Sequence, residues 1–133
     1  MFTHLHLHTQ HSLSQGAIRI KPLVTALQEQ GASACAITDH GNMSGVVEFH
    51  HALRGVGLKP ILGMGVYILE GSLEDARKTG GRPQGYPLQL LCENREGYHN
   101  LCYLASLSHT EGKLRGLPFL DRASHERLRL RAR

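Results

Sequence analysis

With 133 residues the chain has room for one domain. An apolar share of 41% can support a core, but aromatics make up 5% and Trp is absent, so packing rests on Leu, Val, Ile and Ala. The net charge of +4 is uneven: residues 113–133 carry seven basic and two acidic side chains, and residues 1–112 carry eight and nine, which denies the body a basic stripe for neutralising phosphates.

Residues 2–7 alternate, with Phe2, His4 and His6 on one side and Thr3, Leu5 and Leu7 on the other, which predicts a short strand. After a polar turn through Ser14-Gln15-Gly16, Ile20, Leu23, Val24 and Leu27 recur at helical spacing, and Gly31 stops the helix. Residues 34–39 read as a buried strand that ends at Asp39-His40-Gly41-Asn42. A second helix follows over 44–54, capped by Ser44, with Val46, Phe49, His50 and Leu53 on one face. Residues 59–69 form a third strand, 71–86 a polar connection, and 88–92 a fourth strand. Asn94 caps a third helix over 95–108, with Tyr98, Leu101, Cys102 and Ala105 inward. The alternation predicts an α/β fold with mostly parallel strands and the chemistry at their C-terminal ends. Residues 1–112 are expected to form the ordered part, and 113–133 a basic tail, poorly ordered or briefly helical. Its end, Arg127-Leu128-Arg129-Leu130-Arg131-Ala132-Arg133, reads either as a non-specific nucleic-acid contact or as a solvated terminus.

Ten histidines are many for this length. His4, His6 and His8 share one face of a strand, and an HxH pair at a strand end can chelate a metal through two imidazoles. The alternative is a run of surface histidines; a tag would be contiguous. His6 and His8 are the expected ligands, and His4, deeper in the strand, is expected to be structural. Thr38-Asp39-His40-Gly41-Asn42 delivers an Asp and a His to a second strand end. Asp39 either orients an imidazole from behind or caps the following turn. His11, His99, His109 and His125 are read as surface residues, and His50 and His51 as structural. Cys35, Cys92 and Cys102 form no CxxC pair, which points to reduced thiols in a cytoplasmic protein. No run approaches the roughly 20 apolar residues of a membrane span, and the opening residues have no secretory signal pattern.

Several blocks, in order, resemble the PHP (polymerase and histidinol phosphatase) domain that opens bacterial DNA polymerase III alpha chains. They are Phe2-Thr3-His4-Leu5-His6-Leu7-His8-Thr9, Ser12-Leu13-Ser14-Gln15-Gly16-Ala17, Ala36-Ile37-Thr38-Asp39-His40-Gly41-Asn42, Lys59-Pro60-Ile61-Leu62-Gly63-Met64, Glu93-Asn94-Arg95-Glu96-Gly97-Tyr98-His99-Asn100-Leu101, and residues 106–112. The resemblance implies the first part of a distorted seven-stranded β/α barrel with a three-metal cluster at its strand ends. Members that keep the cluster resemble phosphoesterases or 3′–5′ exonucleases, and in others the domain is structural. His6, His8 and His40 fall on ligand positions of the family. Gln15 stands where an Asp is expected, Gly65 where a Glu is expected, and Pro87 where a His is expected. Clustered dications held by neutral imidazoles alone would repel. The expectation is therefore a truncated, non-catalytic segment that binds at most one zinc or manganese ion weakly and cannot itself polymerise DNA. The remainder of an alpha chain and replisome subunits are the expected partners, with DNA reached only through the parent enzyme and no membrane contact. The competing expectation is a metal-dependent phosphoesterase or exonuclease.

Overall fold

The computed structural model describes residues 2–80, 83–124 and 126. Helix α1 (Ile20–Glu29) buries Ile20, Val24 and Leu27, and Gly31 follows at φ +64°. Strand β1 (Ala34–Ile37) is buried throughout. Helix α2 (Val46–Gly55) buries Val46, Phe49 and Leu53. It starts after Gly45 with no side-chain cap, because Asn42 takes the Ser44 N–H through its Oδ1; Ser44 is thus no N-cap. His50 and His51 are exposed on α2. These two helices, β1 and Leu7 form one core cluster.

Strand β2 (Lys59–Leu69) is the spine of the sheet. Its first four residues pair in parallel with β1, Ala34 opposite Lys59 through Ile37 opposite Leu62. Its last seven pair with β3 (Gly85–Leu91), Gly63 opposite Leu91 through Leu69 opposite Gly85. That pairing is antiparallel, and β3 begins before the expected strand at 88–92. Between β2 and β3 lies only α3 (Leu73–Thr79), so the connection returns the chain antiparallel without a full crossover. A helix here departs from the polar connection expected over 71–86. Leu73 is its one buried residue, so no apolar stripe announces it. Its signals are local: Ser72 accepts from the Asp75 N–H, acidic residues open it, basic residues close it, and Gly80 follows at φ +62°.

Helix α4 (Arg95–Thr110) is capped by Asn94, whose Oδ1 accepts from the Gly97 N–H at 2.9 Å. Its Leu101, Leu104 and Leu107 pack on Met64 and Val66 of β2 and on Leu120. Strands β4 (Lys113–Leu114) and β5 (Leu117–Leu120) then form a hairpin, and β5 pairs in parallel with β2 at Tyr67 and Ile68. The expected boundary after Gly112 therefore falls inside the sheet. Phe119 and Leu120 supply the apolar anchor that short strands hide from a periodicity test. His125 and residues 127–133 lie outside the described residues.

The segment expected as the first strand runs parallel to β1 but is no full strand. It makes a bridge from His4 to Cys35, and the N–H groups of Ala36 and Thr38 donate to the carbonyls of His4 and Leu7. Leu5 is 50% exposed, so this stretch has only Leu7 to bury. Among the described residues no helix is long and apolar enough to cross a membrane.

Gly112 is sterically required. A Cβ there would overlap the Phe119 carbonyl oxygen and crowd the Ser108 backbone, whereas a Cβ at Gly55 would meet nothing within 4 Å. Gly112→Ala should cost about 1–3 kcal/mol, and Gly55→Ala should gain about 0.5–1 kcal/mol of helix stability. Urea unfolding midpoints check both.

Candidate metal centre

The first histidines are held by a buried carboxylate. Asp39 is 1% exposed at the end of β1. Its Oδ1 accepts from the Thr9 N–H at 2.5 Å and its Oδ2 from the Thr9 hydroxyl at 2.6 Å. Thr38 works beside it: its Oγ1 accepts from the Leu7 N–H at 2.9 Å and donates to the Leu7 carbonyl at 3.2 Å. Residues 7–9 are thus pinned to the strand end. Among the described residues Asp39 bonds to Thr9 rather than to an imidazole, and so reaches His8 through the neighbouring backbone.

His6 and His8 converge, with Nε2 atoms 3.0 Å apart and rings edge to face. They line a cleft of about 430 Å³ with Gln15, Gly16 and Ala17 of the turn and Leu23 and Leu27 of α1. Gln15, one of the positions expected to have lost its donor, thus borders the same space as the histidine pair. The His8 Nδ1 lies 3.1 Å from the Ser12 hydroxyl. Ser12 is buried, and its Oγ also accepts the His40 N–H at 3.1 Å. One hydroxyl therefore joins the His8 ring to the His40 backbone. The sequence pattern alone does not mark Ser12 as a site residue, although it stands four positions after His8, within the block that carries the resemblance. His4 borders the same cleft but is exposed, its ring edge-on to Phe2.

His40 is placed by its bridge to Gly65 of β2 and by the Gly41 N–H, which donates to the Gly65 carbonyl at 2.7 Å. Its ring lies 4.2 Å from the Tyr67 ring, and its Nε2 is buried with no hydrogen-bond partner among the described residues. The far side of this turn is anchored by His109, whose Nε2 donates to the Gly41 carbonyl at 2.6 Å. His109 is exposed, as expected of a surface residue, yet it ties α4 to the His40 turn. His11 sits 3.7 Å from Glu48, and its carbonyl accepts from Asn42. His99 is exposed.

The pKa of His8 is lowered from its ordinary 6.5 by burial and by the neighbouring His6, partly offset by Asp39. That of His40 is lowered by burial and by His8. Both rings are therefore biased toward the neutral form that ligates metals. The Cys35 thiol is pushed up to about 11 by burial, and that of Cys92 to about 11 by burial and Cys102, so both are unreactive as nucleophiles.

The His6–His8 pair has the chemistry and spacing to hold a transition-metal cation. Two imidazoles on one zinc, with Zn–N near 2.0–2.1 Å, stand about 3.4 Å apart, so the His6–His8 pair needs only a small opening. His8 can donate its Nδ1–H to Ser12, the partner that a ligating imidazole requires. Among the described residues no three His, Cys, Asp or Glu side chains form a metal-holding group. His40 is close enough to His8 to feel its charge, yet the two do not join His6 in such a group. On β2 and β3, Gly65 and Pro87 offer no donor, and Asp39 is committed to Thr9.

Residues 4–131 match the family described as the PHP domain. The chain belongs to the PHP domain family. It is 44% identical over 111 residues to the DNA polymerase III subunit alpha of Campylobacter jejuni, covering 84% of this chain and 9% of that one. The corresponding subunit of Helicobacter pylori is 42% identical over 111 residues, with the same coverage. The chain thus spans about 9% of the length of these curated relatives and matches the N-terminal PHP segment of the polymerase alpha subunit. A solved structure from Bifidobacterium adolescentis, assigned as a metal-dependent phosphoesterase, superposes with TM-score 0.50 at 20% identity over 80% of this chain and 34% of its own. That likeness establishes the fold, a mixed α/β arrangement consistent with part of a PHP barrel.

Two outcomes follow from this geometry. Thr9→Val keeps the shape but leaves Asp39 Oδ2 without its donor, which should cost about 1–3 kcal/mol in urea unfolding. Because His8 and His40 titrate lower when folded, the unfolded chain binds more protons just below pH 6.5. Stability should therefore fall as pH drops below that value, and His8→Ala and His40→Ala should flatten the fall in unfolding curves measured between pH 7.5 and 5.

Proposed function

We propose that this chain is the opening segment of the PHP domain of a bacterial replicative polymerase alpha subunit, serving as scaffold rather than as a hydrolase. Its partners on this reading are the remainder of an alpha chain and, through it, replisome subunits in the cytoplasm. DNA contact and nucleotide addition belong to the parent enzyme. The observation that carries the non-catalytic part is Gly65: the β2 position beside His40 bears no carboxylate. Phosphoryl chemistry commonly uses two cations about 3.5–4 Å apart, with charge supplied by the site to hold them. Here the nearby buried carboxylate, Asp39, is spent on Thr9.

The cation assigned to this chain is a single zinc or manganese, bound weakly, with His6 and His8 as principal ligands and His40 alongside. When bound, it would polarise water or a phosphoryl oxygen. Asp39, Thr9 and Ser12 position the imidazoles, and Gln15, Gly65 and Pro87 mark positions without a charged donor.

A second reading, a metal-dependent phosphoesterase, is favoured by one observation, the convergent His6–His8 pair in its cleft. Metal stoichiometry, and hydrolysis of single-stranded DNA and of a generic phosphomonoester with added zinc or manganese, separate the two. The expected result is at most one metal per chain and no turnover above background. Two or more metals, with turnover abolished by His8→Ala, would establish the hydrolase instead.

A further inference from the structure

A second pair of donors faces the gap at Gly65. Gln89 is the register partner of Gly65 across the β2–β3 ladder, and His40 is its bridge partner on the opposite edge. Directly paired residues point to the same side of a sheet, so His40, Gly65 and Gln89 form one row on one face. The middle of that row has no side chain. A Cβ placed at Gly65 would lie 3.0 Å from Gln89 Oε1, 3.3 Å from Gln89 Nε2 and 3.3 Å from His40 Nδ1. The amide and the imidazole therefore lean toward the same point from either side.

Neither group is satisfied. Gln89 Oε1 and His40 Nε2 are buried without a hydrogen-bond partner among the described residues. On the imidazole the atom nearest the gap is Nδ1 rather than the orphaned Nε2, so the orphan that looks into the gap is Gln89 Oε1, and a buried acceptor left unpaired costs about 1–3 kcal/mol and needs a physical reason. Tyr67 closes the row on the His40 side, its ring 4.2 Å from the imidazole, with Phe119 5.8 Å beyond it. Over the glycine, a nitrogen donor and an oxygen donor thus close in to 3.0–3.3 Å of the place a Cβ would take, beside an aromatic wall.

We propose that Gln89 is a cation ligand, its side-chain carbonyl oxygen and the His40 imidazole together holding a divalent transition metal ion over Gly65. The proposal rests on the reading above that the chain keeps a remnant metal site, and it adds a donor from β3. A neutral amide oxygen is a weak ligand, which accords with weak binding. It also makes the position tunable, because Gln89→Glu places a carboxylate on the same atoms.

The test is zinc affinity at pH 7.5, measured by competition with a chromophoric chelator, together with the visible spectrum of the cobalt(II) form. Thermal unfolding without metal checks that each variant folds. Gln89→Met should weaken zinc binding about tenfold or more, with the metal-free thermal midpoint held or raised. Gln89→Glu should tighten it by a similar factor and change the cobalt spectrum. If binding depends on His8 but both Gln89 variants match the parent in affinity and spectrum, this proposal is overturned and the histidine site stands. A chain that takes up neither zinc nor cobalt overturns both.

Discussion

Asp39 places a negative charge in the interior, 1% exposed, and among the described residues it forms no ion pair. Among the described residues, the amide and hydroxyl of Thr9 donate to its two oxygens. Charge-assisted bonds of this kind are about twice as strong as neutral ones, and a buried carboxylate without them is costly. Residues 2–10 bury a single apolar side chain, Leu7, so hydrogen bonds rather than apolar burial hold them to the fold. The Asp39–Thr9 pair, with the Thr38–Leu7 bonds beside it, sets where residues 7–9 lie, and so helps to place the His6–His8 pair and the Ser12 hydroxyl that meets the His40 N–H.

The two faces of β2 explain why the site and the core coexist on one strand. Met64 and Val66 point into the cluster with α4, while Gly63, Gly65 and Tyr67 alternate to the other side. That second face has small residues where His40 and Gln89 approach it. The hydrophobic effect holds the strand from one side and leaves the other side free to carry polar chemistry. His109 and Ser12 fix the His40 turn from either flank through hydrogen bonds to backbone groups.

Much of this was legible in the sequence where a long period or a strong cap existed. The stripe of Ile20, Val24 and Leu27, the buried run of β1, and Asn94 at the head of α4 all appear as read. Short elements were not legible. Helix α3 offers no apolar stripe, and β4 and β5 together have too few residues for alternation to declare itself. The HxH spacing announced the His6–His8 pair. The roles of Ser12 and His109 were hidden, because each depends on partners 28 and 68 residues away. The same holds for Gln89, whose relation to His40 exists only through the register of β2 with both neighbours.

Those separations also set an order of assembly. The bonds from Leu7 to Thr38, Thr9 to Asp39, His11 to Asn42 and Ser12 to His40 each close a loop of 28–31 residues. The anchor from His109 to Gly41 closes one of 68. Doubling a loop adds only about 0.6 kcal/mol of closure entropy, so equilibrium hardly distinguishes them. Synthesis does: at about 5–20 residues per second, His109 is added roughly 3–14 s after Gly41. During that interval the nascent chain can already hold its first three histidines against β1, while the His40 turn still lacks its tether to α4.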